Sequence, residues 1–439
     1  MRHMIGQLTP ALRKVLHNTA WLMVDRIVRM GLGLLVSVWI ARYLGLTQYG
    51  ILSFAISFVA LFGTMSTLGL DSIVVRHLVT GGADSNEILG TAFVLRLLGG
   101  MLAPLLAIGS IHFMEPNDPI TVLLVNVLSV GLIFQAFDTI DVYFQAQVQS
   151  KVTVWAKNAA FLAASGIRVF LVYAKAPLWT FAVAQVTELA LGALALTAMY
   201  RWRGGRVSIW RARRSRAIQL LQQSWPVILT GMAIMVYLRI DMVMLKFMQG
   251  DAAVGLYATA TRISEVWYFI PVAIVSSVSP AIIRAKDNPI IYYERIGKLF
   301  SLMSLIALVI GSGVALSSHW IIHTLYTEAF RGAAPVLAVH VWASLFVFLG
   351  VAQGPWDVSQ NLLKLGFYRT LAGAVVNVLL NLVLIPKYSA MGAAIATVIS
   401  YATAGVLANA FDSRTRPIFV LQLRSVFPWQ VFTAHNSLK

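Results

Sequence analysis

Two asparagines share one face of an otherwise apolar segment, "VVNVLLNLVLIPKYSAMGAAIATVISY" (375–401). Asn377 and Asn381 stand four residues apart, which places their amides on the same side of a helix. Amides in such a segment can hydrogen-bond to a neighbouring helix and hold the two together. They can also join Asp241 and Thr397 in the hard-oxygen shell that small cations such as Na⁺ prefer. The sequence leaves both interpretations open.

Six arginines fall inside segments that are otherwise apolar. A charge at bilayer depth costs at least about 2.5–3.5 kcal/mol, so it usually faces a water-filled cavity or an opposite charge. Because the guanidinium fork matches phosphate and carboxylate oxygens, arginines that converge on one cavity predict an anion site suited to pyrophosphate or acidic sugars. The candidate substrate-binding residues are Arg26, Arg29, Arg96, Arg168, Arg239 and Arg262.

Pairing within the protein is the competing explanation for these charges. Asp25 and Arg29 are four residues apart and can meet on one helical face. Arg262 and Glu265 are three residues apart and can do the same. Asp25 is also a candidate for cation coupling. The arginines with no obvious local partner are the first choices for substrate contact: Arg26, Arg96, Arg168 and Arg239.

Membrane-spanning helices must position these residues. The chain has 439 residues, of which 59% are hydrophobic and 12% are charged, and apolar runs of about twenty residues recur along it. Backbone polar groups in lipid are satisfied only in helices or closed barrels, and the runs lack the alternation of barrel strands. Pro271 predicts a kink in the eighth helix. The pattern predicts an all-α integral membrane protein with twelve transmembrane helices: 16–41, 49–70, 88–110, 120–143, 154–174, 178–200, 224–247, 254–283, 298–317, 332–354, 367–386 and 390–411.

The distribution of basic residues predicts the orientation of these helices. Lys and Arg favour cytoplasmic loops. With the N-terminus inside, the outward loops hold few basic residues, whereas the inward segment 201–216 has seven arginines in sixteen residues. Both termini are therefore predicted to be cytoplasmic. The net charge of +17 is explained by orientation and by anionic lipid headgroups, and no nucleic-acid partner is expected.

The chain contains two halves that repeat. The stretch "YLGLTQYGILSFA" (43–55) matches "MQGDAAVGLYATA" (248–260), which aligns Gly45 with Gly250 and Gly50 with Gly255. An even number of helices separates the copies, so the repeats are parallel and predict two six-helix lobes that enclose a cavity with alternating access. The predicted domains are an N-terminal lobe (1–200), a basic cytoplasmic linker (201–223), a C-terminal lobe (224–411) and a basic cytoplasmic tail (412–439).

Two stretches resemble a known family of membrane transporters. The segment "NVLLNLVLIPKYSAMGAAIATVIS" resembles the eleventh-to-twelfth helix region of lipid-linked-sugar flippases in the MATE-like (MOP) exporter superfamily. The segment "ARYLGLTQYGILSFAISFVALFGTMSTLGLDSIVVRHL" (41–78) resembles the first-to-second helix region of O-antigen (Wzx-type) flippases. The resemblance implies a V-shaped bundle of two six-helix lobes with a cationic central cavity.

The same resemblance implies a function and its partners. The expected activity is movement of undecaprenyl-pyrophosphate-linked oligosaccharide from the cytoplasmic to the periplasmic leaflet of the bacterial cytoplasmic (inner) membrane. This step would serve the assembly of O-antigen, capsule or exopolysaccharide. Membrane lipids and the polysaccharide polymerase or chain-length machinery are the expected partners.

A coupling ion is also implied by the resemblance. Related lipid II flippases bind sodium through residues that fall on Asp241, Asn377, Asn381 and Thr397. That subgroup has an aspartate where this chain has Asn381, so one ligand charge is lost here. A proton carried on Asp241 is the other option, and no further cofactor or metal is expected.

Two other functions compete with this one. A MATE-type, cation-coupled drug antiporter would favour a cavity lined by acids and aromatics that hold organic cations, whereas the arginines favour anionic cargo. A membrane polysaccharide polymerase would need a large outward loop for catalysis, and the loops 111–119 and 318–331 are short. The chain also has no cysteine to act as a nucleophile. We therefore predict a secondary transporter and not an enzyme.

Overall fold

The chain is built from α-helices. The computed structural model describes residues 10–81 and 84–426, with side chains described from residue 28 onward. In these ranges the α-helices are α1 (Pro10–Leu61), α2 (Gly63–Thr67), α3 (Asp71–Thr80), α4 (Ser85–Met114), α5 (Pro119–Phe134), α6 (Asp138–Ala146), α7 (Ser150–Tyr173), α8 (Leu178–Trp202), α9 (Arg214–Gln249), α10 (Asp251–Ser264), α11 (Phe269–Arg284), α12 (Pro289–Leu325), α13 (Ala333–His340), α14 (Ala343–Ser359), α15 (Leu363–Gly405) and α16 (Arg416–Ser425).

Helical segments long and apolar enough to cross a membrane account for most of the described chain. There are nine of them within the described ranges, and they begin with Val28–Thr80 and end with Leu363–Ala410. Large apolar side chains lie on their outer surfaces, among them Phe113 and Leu316, which are each 89% exposed. Such surfaces indicate contact with lipid, because soluble proteins rarely expose large apolar patches to water. The predicted all-α, multi-pass membrane architecture is therefore confirmed.

Two predicted loops are helical in the structure. α1 continues through 42–48 and departs from helical geometry only at Gly45 (φ 74°, ψ 174°). α15 continues past its internal Pro386 and departs only at Ser389 (φ 51°, ψ −132°). A single-residue break reverses or bends a chain while leaving the hydrogen bonds of both flanking helices intact, which matters where no water is available. Apolar periodicity does not distinguish such a break from a short loop.

Two further boundaries concern α9 and the kink near Pro271. The helix predicted to begin at 224 begins at Arg214, so the last residues of the predicted linker are helical. The eighth predicted helix is interrupted by the 3₁₀ turn Glu265–Tyr268, which separates α10 from α11. Pro271 lies two residues into α11, where its missing N–H is tolerated. The change from α-helical to 3₁₀ geometry thus lies just before the proline at which the sequence predicts a kink.

The described chain divides into two compact units. Unit 1 contains the described residues up to Tyr43 together with Ala55–Met235, and unit 2 contains Leu44–Phe54 together with the described residues from Val236 onward. In unit 1, α7 packs on α8, α4 packs on α5, and α5 packs on α8. Its apolar core includes Leu70, Ile88 and Leu89, which are almost fully buried.

Unit 2 has its own core and a helix that follows its last long helix. α12 packs on α14 around Phe300, Phe348 and Trp356. α14 also packs on α15, and α10 packs on α13. α16 packs against α12, with Ile418 and Gln422 fully buried. Gln422 belongs to a buried hydrogen-bond network with Gln353. Part of the segment predicted as a basic tail is thus a packed helix.

The four glycines that the predicted repeat aligns lie in unit 2 and have similar backbone surroundings in pairs. Gly45 (φ 74°, ψ 174°) and Gly250 (φ 82°, ψ −178°), which the repeat aligns, have almost the same conformation. Residues with a side chain rarely adopt it. The other aligned pair packs closely: a Cβ on Gly50 would lie 1.9 Å from the Asp251 carbonyl oxygen, and one on Gly255 would lie 2.4 Å from the carbonyl oxygen of residue 46. The matched motifs therefore cross each other through backbone contacts.

Candidate functional site

A buried carboxylate lies at the centre of a polar network in unit 2. Asp241 on α9 is 2% exposed. The side chains around it are Tyr257 from α10 and Asn377, Asn381 and Thr397 from α15. Asn377 and Asn381 share a face of α15, and the break at Ser389 returns the chain so that Thr397 reaches the same point. The structure thus brings together the four residues that the sequence proposes for a cation site.

All contacts to the carboxylate come from uncharged donors. Asn377 Nδ2 and Asn381 Nδ2 donate to Asp241 Oδ1 at 2.9 and 2.6 Å. Thr397 Oγ1 and the Tyr257 hydroxyl reach Asp241 Oδ2 at 3.0 and 2.9 Å. Hydrogen bonds to an ionised acceptor are roughly twice as strong as neutral ones, so this shell stabilises a charge that has lost its water. The amide groups can present either oxygen or nitrogen to it.

The donor set fits a small, hard cation. Asn381 Oδ1 is buried and has no hydrogen-bond partner, which costs about 1–3 kcal/mol for a neutral acceptor. A half-turn of the two amides would direct their oxygens at the carboxylate, where repulsion would be relieved only by a cation or a proton. Carboxylate, amide and hydroxyl oxygens are the ligands that hard cations take. The residues present therefore fit Na⁺. The ion would neutralise the charge of Asp241, and the unsatisfied oxygen of Asn381 could serve as one of its ligands.

Two residues of this network are not among those predicted from the sequence. The Tyr257 hydroxyl is 2.8 Å from Thr397 Oγ1 as well as bonded to the carboxylate. Ser400 Oγ accepts from Asn377 Nδ2 at 3.4 Å. The sequence contains a feature that could have identified each of them. Ser400 lies one turn beyond Thr397 on the same helical face. Tyr257 lies within the second copy of the repeated motif.

Two arginines chosen for having no local partner are paired with acids. Arg96 Nη2 on α4 donates to Asp71 Oδ1 on α3 at 2.7 Å. Arg168 Nη2 on α7 donates to Glu188 Oε2 on α8 at 2.7 Å, and also to Gln185. Neither arginine has its partner on its own helix, but each is paired with an acid on a neighbouring helix. Their acids lie 25 and 20 residues away in the chain, so inspection of neighbouring helical turns could not find them.

The other arginines have more varied surroundings. The Arg29 guanidinium lies over the Phe161 ring, 5.1 Å from its centroid, within unit 1. In unit 2, Arg239 is half-buried on α9, and both Arg239 and Arg262 interact electrostatically with Glu265. The predicted proximity of Arg262 and Glu265 is therefore found.

Two of the predicted site residues precede the part of the chain whose side chains the structure describes. Asp25 and Arg26 lie outside the residues whose side chains the structure describes. Their roles in cation coupling and substrate binding stay predictions.

Comparison with known proteins relates the chain to glycan-handling membrane proteins. A family model described as polysaccharide biosynthesis protein matches residues 15–286. Two relatives come from Haloferax volcanii. "Probable flippase AglR" is 29% identical over 46% of this chain and 43% of its own length, so the match spans less than half of that protein. "Probable low-salt glycan biosynthesis flippase Agl15" is 22% identical over 88% of this chain and 81% of its own length.

Solved structures share the fold over nearly the whole chain. The lipid II flippase MurJ in an inward closed conformation matches with a TM-score of 0.69 and 14% identity, covering 95% of this chain and 93% of its own. An inward-facing multidrug resistance MATE family transporter of the MOP superfamily matches with a TM-score of 0.67 and 13% identity, covering 94% and 99%. At identities this low, the structural similarity establishes the fold but does not identify the substrate.

The apolar helices define a multi-pass membrane protein, and its fold is similar to that of the MATE and MurJ structures. The family model covers more than half of the residues, so the chain belongs to the polysaccharide biosynthesis protein family. The resemblance noted in the sequence is thereby confirmed.

Proposed function

We propose that the protein is a flippase for lipid-linked oligosaccharides. It moves undecaprenyl-pyrophosphate-linked repeat units from the cytoplasmic to the periplasmic leaflet of the bacterial cytoplasmic membrane. The units then pass to polymerase or chain-length machinery that assembles O-antigen, capsule or exopolysaccharide. The family match over residues 15–286 carries the proposal, and the names of AglR and Agl15, which describe flippases, support it.

The proposal includes twelve membrane crossings, two six-helix lobes and cytoplasmic termini, with the lobes at 1–200 and 224–411. A crossing needs about 20 helical residues, so segments of 53 and 48 residues, Val28–Thr80 and Leu363–Ala410, are each long enough for two. Both contain a break, at Gly45 and at Ser389. Ser150–Tyr173 adds one more helix of suitable length. These features support the count of twelve.

Exchange of ion-pair partners gives the arginines a role in translocation. Arg168 is held by the Glu188 carboxylate, with Nη2 and Oε2 2.7 Å apart. A pyrophosphate group could bind the same guanidinium in place of the carboxylate, and it has more oxygens to accept hydrogen bonds. A substrate that takes over such contacts gains affinity, and the released acid is free to change position. Arg239, which is half-buried and interacts electrostatically with Glu265, is the corresponding candidate in unit 2.

Cation binding at Asp241 is the proposed source of coupling. Na⁺ or H⁺ at this carboxylate would cancel the one charge that the amide and hydroxyl donors stabilise. The amide nitrogens contact the carboxylate in the structure, whereas amide oxygens would contact a bound Na⁺, so the cation would favour the opposite orientation of the two amides. Any ligand that prefers one arrangement shifts the population toward it.

Replacement of Arg239 tests the substrate contact. In cells whose own flippase gene is deleted, Arg239→Ala is expected to lower surface polysaccharide about tenfold or more, because one charge-assisted contact of about 1.5–3 kcal/mol is lost. Arg239→Lys should restore activity in part, since it keeps the charge and loses the fork. Arg331→Ala, at a side chain that is 75% exposed, is the matched control and should behave as wild type.

The readout separates the proposal from its closest rival. Lipid-linked oligosaccharide should accumulate in cells that carry Arg239→Ala. Normal polysaccharide in alanine variants of Arg26, Arg96, Arg168 and Arg239 would contradict a flippase with an arginine site. Loss of drug resistance with unchanged polysaccharide would instead identify a MATE-type antiporter.

A further inference from the structure

A cavity of about 150 Å³ with a mixed polar and apolar lining lies in unit 1. Its charged wall is formed by Arg29 of α1, Asp138 of α6, Lys157 of α7 and Glu188 of α8. Gln135, from the 3₁₀ turn between α5 and α6, also lines it. One water needs roughly 10–15 Å³ of such space, so the cavity can hold a ligand that bears several polar groups.

The charges around this cavity are balanced. Lys157 Nζ lies 2.8 Å from Asp138 Oδ1 and 2.7 Å from Asp141 Oδ2. Glu188 Oε2 lies 2.7 Å from Arg168 Nη2. Among the side chains that line the cavity, two cations face two carboxylates. A phosphate there would be repelled by the carboxylates and a metal ion by the cations, so the wall favours an uncharged ligand.

Hydrogen-bonding capacity remains after these pairs have formed. Gln135 Oε1 is buried and has no hydrogen-bond partner, although buried acceptors are nearly always satisfied. The carboxylates keep unused lone pairs, and Arg29 and Lys157 keep N–H groups that can donate. A hydroxyl both donates and accepts, so a polyhydroxylated ligand matches such a mixed wall. Phe134 and Leu189 add apolar lining, against which the C–H groups of a sugar can pack.

We infer that this cavity binds one uncharged sugar ring of the translocated glycan. The inference rests on the proposed function, and it adds a site for a neutral sugar to the arginine contacts assigned to pyrophosphate. In the proposed topology, Asp138 and Lys157 lie near the cytoplasmic ends of their helices. The glycan begins its transfer on that side of the membrane. A ring held here would make the protein selective for the sugar and not only for the lipid carrier.

Gly192 allows the cavity to be filled without changing a charge. It lines the cavity, and its nearest neighbour, the Ala160 side chain, would be 4.0 Å from an added Cβ. Gly192→Leu therefore places a side chain in the cavity and should also favour the helix, since glycine is a poor helix former. Gly166→Leu on α7 is the control, because nothing lies within 4 Å of the Cβ it would add. Gln135→Ala removes the unpaired acceptor and breaks no ion pair.

Binding to the full-length protein in lipid nanodiscs is measured with two probes. One is undecaprenyl pyrophosphate, and the other is the lipid-linked oligosaccharide extracted from cells that lack the protein. Gly192→Leu should weaken binding of the oligosaccharide probe about tenfold, and Gln135→Ala about fivefold, as expected for one buried hydrogen bond. Neither change should affect undecaprenyl pyrophosphate, which also reports that each variant is folded. Gly166→Leu should bind both probes like wild type.

The other outcomes overturn the inference in distinguishable ways. If Gly192→Leu and Gln135→Ala bind the oligosaccharide probe as tightly as wild type, the cavity holds no sugar. Equal weakening of both probes would show that it holds the pyrophosphate. If wild type binds both probes equally, the glycan has no site at all, while the flippase proposal stands. Wild type that binds neither probe would contradict the proposed function and the inference with it.

Discussion

A second carboxylate next to Asp241 should make the stability of the protein depend on sodium. Asn381→Asp replaces the amide nitrogen that lies 2.6 Å from Asp241 Oδ1 with an anionic oxygen. With an effective dielectric constant of about 20, two unit charges 2.6 Å apart repel each other by roughly 6 kcal/mol. A cation between the two carboxylates would offset this repulsion. The variant should therefore be less stable than wild type without Na⁺ and recover when Na⁺ is added.

Thermal unfolding in detergent at pH 8, in choline chloride or sodium chloride, measures this effect. Na⁺ at about 100 times its dissociation constant would stabilise the folded variant by about 2.7 kcal/mol, which raises the melting temperature by a few degrees. Asn381→Ala is the control: it also loses the hydrogen bond but gains no charge, so its melting temperature should be equally low in both salts. A melting temperature of the Asn381→Asp variant that is the same in both salts would refute a sodium site at these two carboxylates, because a proton shared between them would then relieve the repulsion instead.

Three other predictions test the packing and charge of the described residues. Gly50→Ala should abolish the yield of folded protein in size-exclusion chromatography, because its Cβ would lie 1.9 Å from a backbone oxygen, whereas Gly313→Ala, with open space around it, should not. Arg96→Met should keep or raise the melting temperature, because two buried guanidinium nitrogens of Arg96 have no hydrogen-bond partner and an apolar side chain needs none; a large drop would contradict this. Hydrogen bonds from Arg414 lower the pKa of Asp412 to about 2, so their contribution to stability is complete above about pH 4 and is lost only as the pH falls toward 2. The difference in melting temperature between wild type and Asp412→Asn should thus be constant from pH 5 to 8, and a change within that range would show that another group titrates.

The sequence predicted the membrane architecture because long apolar runs have few alternatives in lipid. It also predicted the residues around Asp241, since polar side chains on apolar faces are few and their helical spacing is regular. Long-range partners were harder to predict. The Arg96–Asp71 pair depends on how α3 and α4 pack, and nothing in the sequence around either residue encodes that packing. The breaks at Gly45 and Ser389 were missed for a related reason, because one residue with non-helical dihedrals leaves the hydropathy unchanged.

The close contact between the two aligned motifs restricts which residues can stand at positions 50 and 255. Gly50 leaves no room beside the backbone of Asp251, and Gly255 leaves none beside the backbone of residue 46, so neither position can carry a larger side chain unless the backbone of the other motif moves away. A gene that joins the first half of one family member to the second half of another should yield protein only if each parent keeps its small residue at this crossing. The close contact between the two motifs therefore limits how freely such halves can be recombined.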